Sequence, residues 1–154
     1  MMGTVVVVGA IAAVVSPMVL KSSEQFARSS SQRRASEQAA LALDRLARAL
    51  REAPLKAGVP GAANFASASA TGFALEGGVY TELASGTLSL GNDLFKPVPL
   101  CRDVSGFGVE YFDNAGASVN VASGTDTVRR VRLTVTAGGV TLSTMVWLRT
   151  GMTE

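Results

Sequence analysis

The chain has 154 residues, a length that fits either one domain or one small domain with an additional segment. Only 17% of the residues are charged, and the formal net charge is +2. It contains no histidine and one cysteine, Cys101, which excludes His/Cys zinc sites, histidine-based proton relays and a disulfide within the chain. The charge is uneven, because residues 1–56 carry eight Lys/Arg and four Asp/Glu whereas residues 57–154 carry six and eight. Neither balance is large enough to indicate a nucleic-acid-binding surface.

The first 20 residues contain an uncharged segment, 4–20, that predicts a membrane-spanning helix. Nine of its seventeen residues are Val, Ile or Leu. As a helix it would span about 26 Å, slightly less than a hydrocarbon core of roughly 30 Å. Pro17 is compatible with a membrane span, where neighbouring groups satisfy the freed carbonyl. Two alternatives stay open: a secretory signal cleaved near 10–12, although no Lys or Arg precedes the apolar run, and a buried core helix.

The basic residues near this segment all follow it: Lys21, Arg28, Arg33 and Arg34. Taken literally, the positive-inside rule would place the rest of the chain in the cytoplasm. A start upstream of Met1, with a basic leader and a few more residues, would remove both this conflict and the short span.

Residues 21–53 are predicted to continue the helix, because no Gly or Pro occurs before Pro54 and helix-forming residues dominate. Ala39, Leu43, Leu46, Leu50 and Ala53 are spaced 4, 3, 4 and 3 residues apart, which makes one apolar stripe. We therefore expect an amphipathic helix whose Leu43, Leu46 and Leu50 pack on a sheet.

The remainder is predicted to be a connecting loop, 54–72, followed by a small antiparallel β head, 73–154. The predicted strands are weak runs at 73–80 and 87–90, an edge strand or non-strand at 94–100 with Pro97 and Pro99, and better runs at 104–112, 118–122, 128–137 and 140–148. Gly138-Gly139 is typical of a two-residue hairpin turn. The fold class is thus α+β, a long N-terminal helix followed by an antiparallel meander.

The residues of the head give little indication of chemistry. Asp113-Asn114-Ala115-Gly116 is typical of a turn and supplies too few oxygen ligands for calcium. Arg129, Arg130 and Arg132 form a basic cluster without interleaved aromatic residues, which favours a solvated face. Arg102 could lower the pKa of Cys101 slightly, but a buried, idle thiol is the better interpretation. Met145 and Trp147 either form a contact surface or pack under the 54–72 loop. We predict no catalytic, cofactor-binding or metal-binding residue, and no enzyme.

The stretch from Gly9 to Pro17 resembles the distal half of the N-terminal signal segment of type IV pilins and type II secretion pseudopilins. In those families the first apolar helix ends with a run such as GILAAVAVP, which Gly9, Ala12, Ala13 and Pro17 match position by position. Further segments resemble minor pilins of the W type and J-type minor pseudopilins: LDRLARALREA (43–53), VSGFGVEYFDNAGASV (104–119), and VRRVRLTV followed by VWLRT (128–135 and 146–150).

This resemblance implies a pilin-like fold and a structural role as a minor subunit of a type IV pilus or a type II secretion pseudopilus. It implies that the first helix spans the bacterial inner membrane once, with the head in the periplasm or exterior, before it packs against other pilin or pseudopilin subunits in a filament. The membrane and assembly residues would be Val5, Val8, Gly9, Ala12, Ala13 and Pro17. The alternative function is a secreted or membrane-anchored β-rich binding module with a cleaved signal or a simple anchor.

The resemblance also implies a processing site that this sequence does not contain. The family's start, Gly/Phe-Thr-Leu-Ile-Glu, which the prepilin peptidase cleaves and methylates, would lie immediately before Met1. We expect Met1 or Met2 to be an internal methionine of a longer protein.

The nucleotide sequence upstream of the Met1 codon tests this expectation. We expect an in-frame leader that is rich in Lys and Arg and ends in Gly-Phe-Thr-Leu-Ile-Glu. An in-frame stop codon directly before Met1 would contradict it.

Overall fold

The computed structural model describes residues 2–59 and 62–148, with side chains described for 21–59 and 62–148. One N-terminal helix precedes eight antiparallel strands, so the predicted α+β class is confirmed. The elements are α1 (Met2–Arg51), β1 (Phe65–Ser69), β2 (Gly72–Leu75), β3 (Val79–Ala84), β4 (Thr87–Asn92), β5 (Phe95–Cys101), β6 (Val104–Phe112), a 3-10 turn (Val121–Ser123), β7 (Arg130–Ala137) and β8 (Val140–Trp147).

The chain divides into two compact units, which meet within α1 between Arg34 and Ala35. In the first unit the backbone is helical from Met2 onward, and almost every described side chain from Lys21 to Arg34 is exposed. The side chains of the predicted assembly residues lie outside the described residues: Val5, Val8, Gly9, Ala12, Ala13 and Pro17. Among the residues whose side chains the structure describes, 21–59 and 62–148, no helix combines the length and the apolar content that crossing a membrane requires.

The hydroxyls of three consecutive serines in the first unit form hydrogen bonds with the backbone of α1. The hydroxyls of Ser29, Ser30 and Ser31 donate hydrogen bonds to the carbonyl oxygens three residues earlier, at 3.0, 2.9 and 2.8 Å. Each hydroxyl thus bonds back to the preceding turn, and the backbone remains helical through the polar run.

The second unit contains two antiparallel sheets in which sequential strands are neighbours. Strands β1 to β5 form a five-stranded meander, and β6 to β8 form a three-stranded one. Strand β6 connects the two sheets, because the Val109 amide donates to the Ala70 carbonyl at 2.8 Å and the Val104 amide donates to the Gly86 carbonyl at 2.9 Å.

The core lies between the last turns of α1 and the inner faces of both sheets. Leu46 and Leu50 are 0% exposed and belong to one buried cluster with residues of both sheets. The predicted inward residues of β7 are buried at 0% exposure: Val131, Leu133 and Val135. The alternate residues of β7 and the apolar stripe of α1 therefore face the same core.

The hairpin between β7 and β8 has the predicted two-residue turn. Gly138 and Gly139 have φ angles of 56° and 77°, which a type I′ turn requires at both central positions. This turn sets the register in which Arg130 lies opposite Trp147.

The single run predicted at 73–80 is divided into β2 and β3 by a turn at Gly77 and Gly78, which both have positive φ, and three further predicted boundaries differ from the structure. Strand β1 lies inside 54–72, where a loop was expected; the Phe65 ring packs edge-on against Tyr111 at a centroid distance of 5.9 Å, which the small and polar composition of the segment did not indicate. Residues 118–122 do not form a strand, because the Asn120 side chain accepts from the Ala122 amide at 3.1 Å and caps the 3-10 turn.

The third difference is the end of α1, which falls at Arg51 rather than at Ala53. The Glu52 amide still donates to Arg48, whereas the Ala53 amide donates to Leu50, three residues back, at 3.3 Å. The last turn thus tightens before Pro54, as helix ends commonly do.

The buried stripe makes a stability prediction with a control on the same helix. Leu46→Ala removes a fully buried side chain and is expected to lower the free energy of unfolding by about 2–5 kcal/mol, because it leaves a cavity. Leu41→Ala, at a site that is 65% exposed, is expected to change it by no more than about 0.5 kcal/mol. Urea denaturation measures both, and equal losses would contradict the packing described.

Candidate functional site

The sequence-predicted packing residues lie in the core and are not available to a partner. Leu43 is 5% exposed, and Leu46 and Leu50 are 0% exposed, in the same buried cluster as residues of both sheets. Their function is therefore to hold the last turns of α1 against the sheets, and any interaction surface has to be sought elsewhere on the second unit.

One such surface is a groove between α1 and the outer strands of the five-stranded sheet, with a volume of about 420 Å³. We call it the helix–sheet groove, and it is lined by Leu41, Asp44, Arg45, Arg48, Ala49 and Glu52 of α1 and by Leu90, Val98 and Leu100 of β4 and β5.

The helix–sheet groove combines apolar side chains with charged helix residues. Leu41 is 65% exposed and Val98 is 53% exposed, so the helix leaves this part of the sheet uncovered. Asp44 and Arg48 form an exposed ion pair at 3.4 Å, which in water contributes little to stability. These charges therefore remain available to a partner at small energetic cost.

A second exposed apolar feature is the turn between β4 and β5, where Leu94 is 81% exposed and Phe95 is 74% exposed. The Asn92 side-chain oxygen accepts from the Leu94 amide at 3.0 Å, and the Asp93 amide donates to the Gly78 carbonyl at 3.0 Å. The backbone of this turn is therefore held in place while its two apolar side chains face solvent. We call Leu94 and Phe95 the apolar tip.

On the outer face of the three-stranded sheet, the basic cluster lies beside aromatic residues, contrary to the sequence interpretation. Cross-strand pairing places Phe112, Arg130 and Trp147 in one row, and the Arg130 guanidinium lies 3.8 Å from the centroid of the Trp147 ring. Arg132 lies 5.0 Å from the Phe112 ring centroid. Aromatic residues thus do interleave with the arginines, which sequence order alone did not show because the neighbours lie on different strands.

The arginine side chains on this face form hydrogen bonds within the chain. Arg132 donates to Glu110 at 2.9 Å, and Arg130 donates to the Asn114 carbonyl at 2.6 Å. Trp147 is 54% exposed, so it forms part of the surface and does not pack under 54–72. Each guanidinium group thus has a partner through one terminal nitrogen, whereas the buried Nε of Arg130 has none among the described residues. A single such nitrogen does not define a ligand site, so we place none on this face.

The structure makes Cys101 an unreactive thiol. The residue is buried at the end of β5, and burial, together with the nearby charge of Asp103, raises the pKa of its thiol. The preferred interpretation of Cys101 as a buried thiol is confirmed. Arg102 does not bring the pKa of the thiol below its ordinary value, because desolvation of the thiolate dominates. Within residues 2–59 and 62–148, no group of three or more His, Cys, Asp or Glu side chains is placed to hold a metal ion.

Comparisons with known proteins do not assign the chain to a family: no protein-family model matches it, and no curated protein matches it.

Tyr111 connects the two sheets, and the burial of its hydroxyl leads us to predict a loss of stability at alkaline pH. Its hydroxyl donates to the carbonyl oxygens of Ser69 and Gly72, both at 3.1 Å, and burial raises its pKa from 10.0 to about 12. Below pH 10 the phenol is neutral in both states, so this contribution to stability is intact. Between pH 10 and 12 only the unfolded chain releases the proton, so the free energy of unfolding falls by roughly 2–3 kcal/mol.

Urea denaturation at about pH 9 and about pH 11.5 tests this prediction. The Tyr111→Phe variant is expected to lose less stability between the two values than the unsubstituted protein, whereas Tyr80→Phe, which leaves Tyr111 in place, is expected to lose as much. Parallel losses in the unsubstituted protein and Tyr111→Phe would show that Tyr111 does not cause the decline.

Proposed function

We propose that the chain is a structural subunit of a pilus-type filament, a minor pilin or minor pseudopilin, that assembles through its N-terminal helix. The observation that carries the proposal is that only the C-terminal part of α1 packs on the head. Of the 50 residues in this helix, buried side chains among those described begin only at Ala39. The part that precedes Ala35 belongs to a unit of its own. The head therefore uses only the last turns of its helix.

The sequence of 4–20 supports the rest of the proposal. An apolar segment of this length is unfavourable in water and requires either lipid or other apolar helices around it. Gly9, Ala12 and Ala13 are small residues. Small residues permit close approach of helix backbones in a membrane, where no hydrophobic driving force brings helices together. Packing against sister helices can thus replace lipid when the subunit leaves the membrane.

This proposal specifies location and partners. Before assembly, the segment 4–20 lies in the inner membrane with the head on the periplasmic or outer side. Its partners are other pilin or pseudopilin subunits and, for a precursor with an upstream leader, the prepilin peptidase. The proposed role is structural and requires no catalytic residue or cofactor.

The helix–sheet groove favours a second candidate function, a β-rich binding module with a cleaved signal or a simple anchor. A volume of about 420 Å³ lies within the range of roughly 300–1,000 Å³ that is common for small-molecule pockets. N-terminal sequencing of the mature protein separates the two functions, since a mature start between Val14 and Lys21 would support a cleaved signal.

The proposal predicts that bulky residues in the small-residue part of the helix prevent assembly without unfolding the head. Gly9→Leu with Ala12→Leu and Ala13→Leu keeps the segment apolar, so membrane insertion is retained, but it blocks close helix packing. We expect filament yield by electron microscopy to fall at least about tenfold, the equivalent of about 1.4 kcal/mol of lost packing free energy.

The matched control is Gly9→Ala, which adds one methyl group and is expected to assemble. A chain that lacks residues 1–20 is expected to remain soluble and folded and to be excluded from filaments. Filaments formed by this truncated chain would show that the N-terminal helix is not the polymerising element.

A further inference from the structure

We infer that the outer edge of β8 accepts an extended segment of a different protein as an added strand of the three-stranded sheet. The strand order of this sheet is β6-β7-β8, so β8 pairs with β7 on one side and with no strand of the described residues on the other. The inference deepens the proposed function, on which the choice of donor rests, because that function makes the donor a neighbouring, non-identical subunit.

The register of the β7–β8 hairpin determines which backbone groups of β8 point outward. The two-residue turn closes on the Ala137–Val140 pair, and hydrogen-bonded pairs then alternate with non-hydrogen-bonded pairs along the ladder. The Leu148 amide donates to the Arg129 carbonyl at 2.9 Å, which agrees with this alternation. The amides and carbonyls that point away from β7 therefore belong to Thr141, Ser143, Met145 and Trp147, and we call this row of groups the β8 edge.

Strand β8 lacks the features by which natural edge strands avoid pairing. It is eight residues long and contains no proline, glycine or charged residue. By contrast, β5 carries Pro97 and Pro99, which have no amide hydrogen to offer an added strand. The strand at the opposite side of the same sheet, β6, is bound to turns of the five-stranded sheet through the Val104 and Val109 amides. The β8 edge is thus open to a further strand.

The side chains beside the β8 edge leave apolar surface on both faces of the sheet. On the inner face, Val140 and Leu142 are only half-buried, and Leu142 packs against the core. On the outer face, Met145 is 38% exposed and Trp147 is 54% exposed. An added strand would extend the core on one face and cover these two side chains on the other, and each contribution favours association.

These features define the segment that fits. Four outward backbone positions from Thr141 to Trp147 require a donor that is extended along the whole β8 edge. Side chains directly opposite one another lie roughly 5 Å apart, so the donor needs small residues opposite Met145 and Trp147 and can carry larger ones opposite Thr141 and Ser143. Its inner face has to be uncharged, because it would lie against the core. Backbone hydrogen bonds then provide affinity, and side-chain size selects the register.

A second copy of the chain is a less suitable donor than a different subunit. Two β8 edges that pair antiparallel in one sheet are related by a two-fold axis perpendicular to that sheet. This axis reverses the last turns of α1, which pack on the sheet, in one copy relative to the other. Subunits that assemble side by side through their N-terminal helices have these helices in the same direction. The proposed function therefore favours a donor that is not a copy of this chain.

Peptide binding to the full-length protein in detergent tests the inference. The probe is a fluorescent synthetic peptide with the sequence of residues 140–148, because antiparallel pairing with β8 places its Trp147 opposite Thr141 and its Met145 opposite Ser143. One version is N-methylated at the amides of residues 142, 144 and 146, which leaves the pairing edge free. The other is N-methylated at 141, 143 and 145, which blocks that edge. By fluorescence anisotropy, we expect the first version to bind at least about ten times more tightly.

A variant of the protein provides a second measurement. Ser143→Pro removes one amide of the β8 edge and no bond to β7, so the fold is expected to be retained, as circular dichroism can verify. We expect it to weaken binding of the first peptide at least about threefold, because one backbone hydrogen bond is lost. The matched control is Ser143→Ala, which keeps the amide and is expected to bind as the unsubstituted protein does.

Three results would overturn the inference. Two are equal binding of the two peptide versions and the absence of saturable binding by either. The third is rapid disulfide formation between copies of Thr144→Cys in proteoliposomes, which would show that a second copy occupies the edge. In the register that sets large residues opposite small ones, Thr144 lies opposite itself, with Cα atoms roughly 4.5 Å apart. Buried Cys101 is common to all samples.

The peptide measurement also separates this inference from the proposed function. Selective binding of the first peptide by a protein that forms no filaments would support the β8 edge contact and contradict the proposed function. Filaments formed by a protein that does not distinguish the two peptides would overturn the β8 edge contact and leave helix-driven assembly intact.

Discussion

The structure depends on one packing constraint, which is that the last turns of α1 must cover the apolar inner faces of two sheets at once. Leu46 and Leu50 are fully buried in this layer, together with the inward residues of β7 and the end of β5. In the described part of the second unit the end of α1 is the only α-helix, so it supplies the layer that covers both meanders. Tyr111 adds a polar link by donating to carbonyls between β1 and β2.

The same constraint explains where the exposed apolar surface lies. A single helix cannot cover the full width of a five-stranded sheet, and one part that it leaves uncovered is the edge at β5. There the helix presents charged residues and Leu41, and the strand presents Val98 between two prolines. The helix–sheet groove is thus a consequence of how the core is closed, and the apolar tip beside it extends the same hairpin.

Sequence patterns predicted those elements whose periodicity reflects burial on one side. The 4-3-4-3 stripe of α1, the alternation in β7 and the Gly138-Gly139 turn all correspond to structure. Elements that depend on distant partners could not be predicted. Strand β1 is held by its pairing with β2 and by the contact of Phe65 with Tyr111, and Arg130 meets Trp147 only through the register of the hairpin. The groove was not predicted either, because the residues of its walls show no distinctive sequence pattern. It forms only because the helix covers the sheet incompletely.

We propose one account, in which the C-terminal turns of a long helix complete the head and the apolar residues at its start require lipid or sister helices. Sedimentation velocity of the full-length protein, as detergent is removed, tests this account most directly. The account predicts that the protein is dispersed in detergent and sediments as large assemblies once detergent is gone. A monodisperse monomer that stays in solution without detergent or lipid would contradict it.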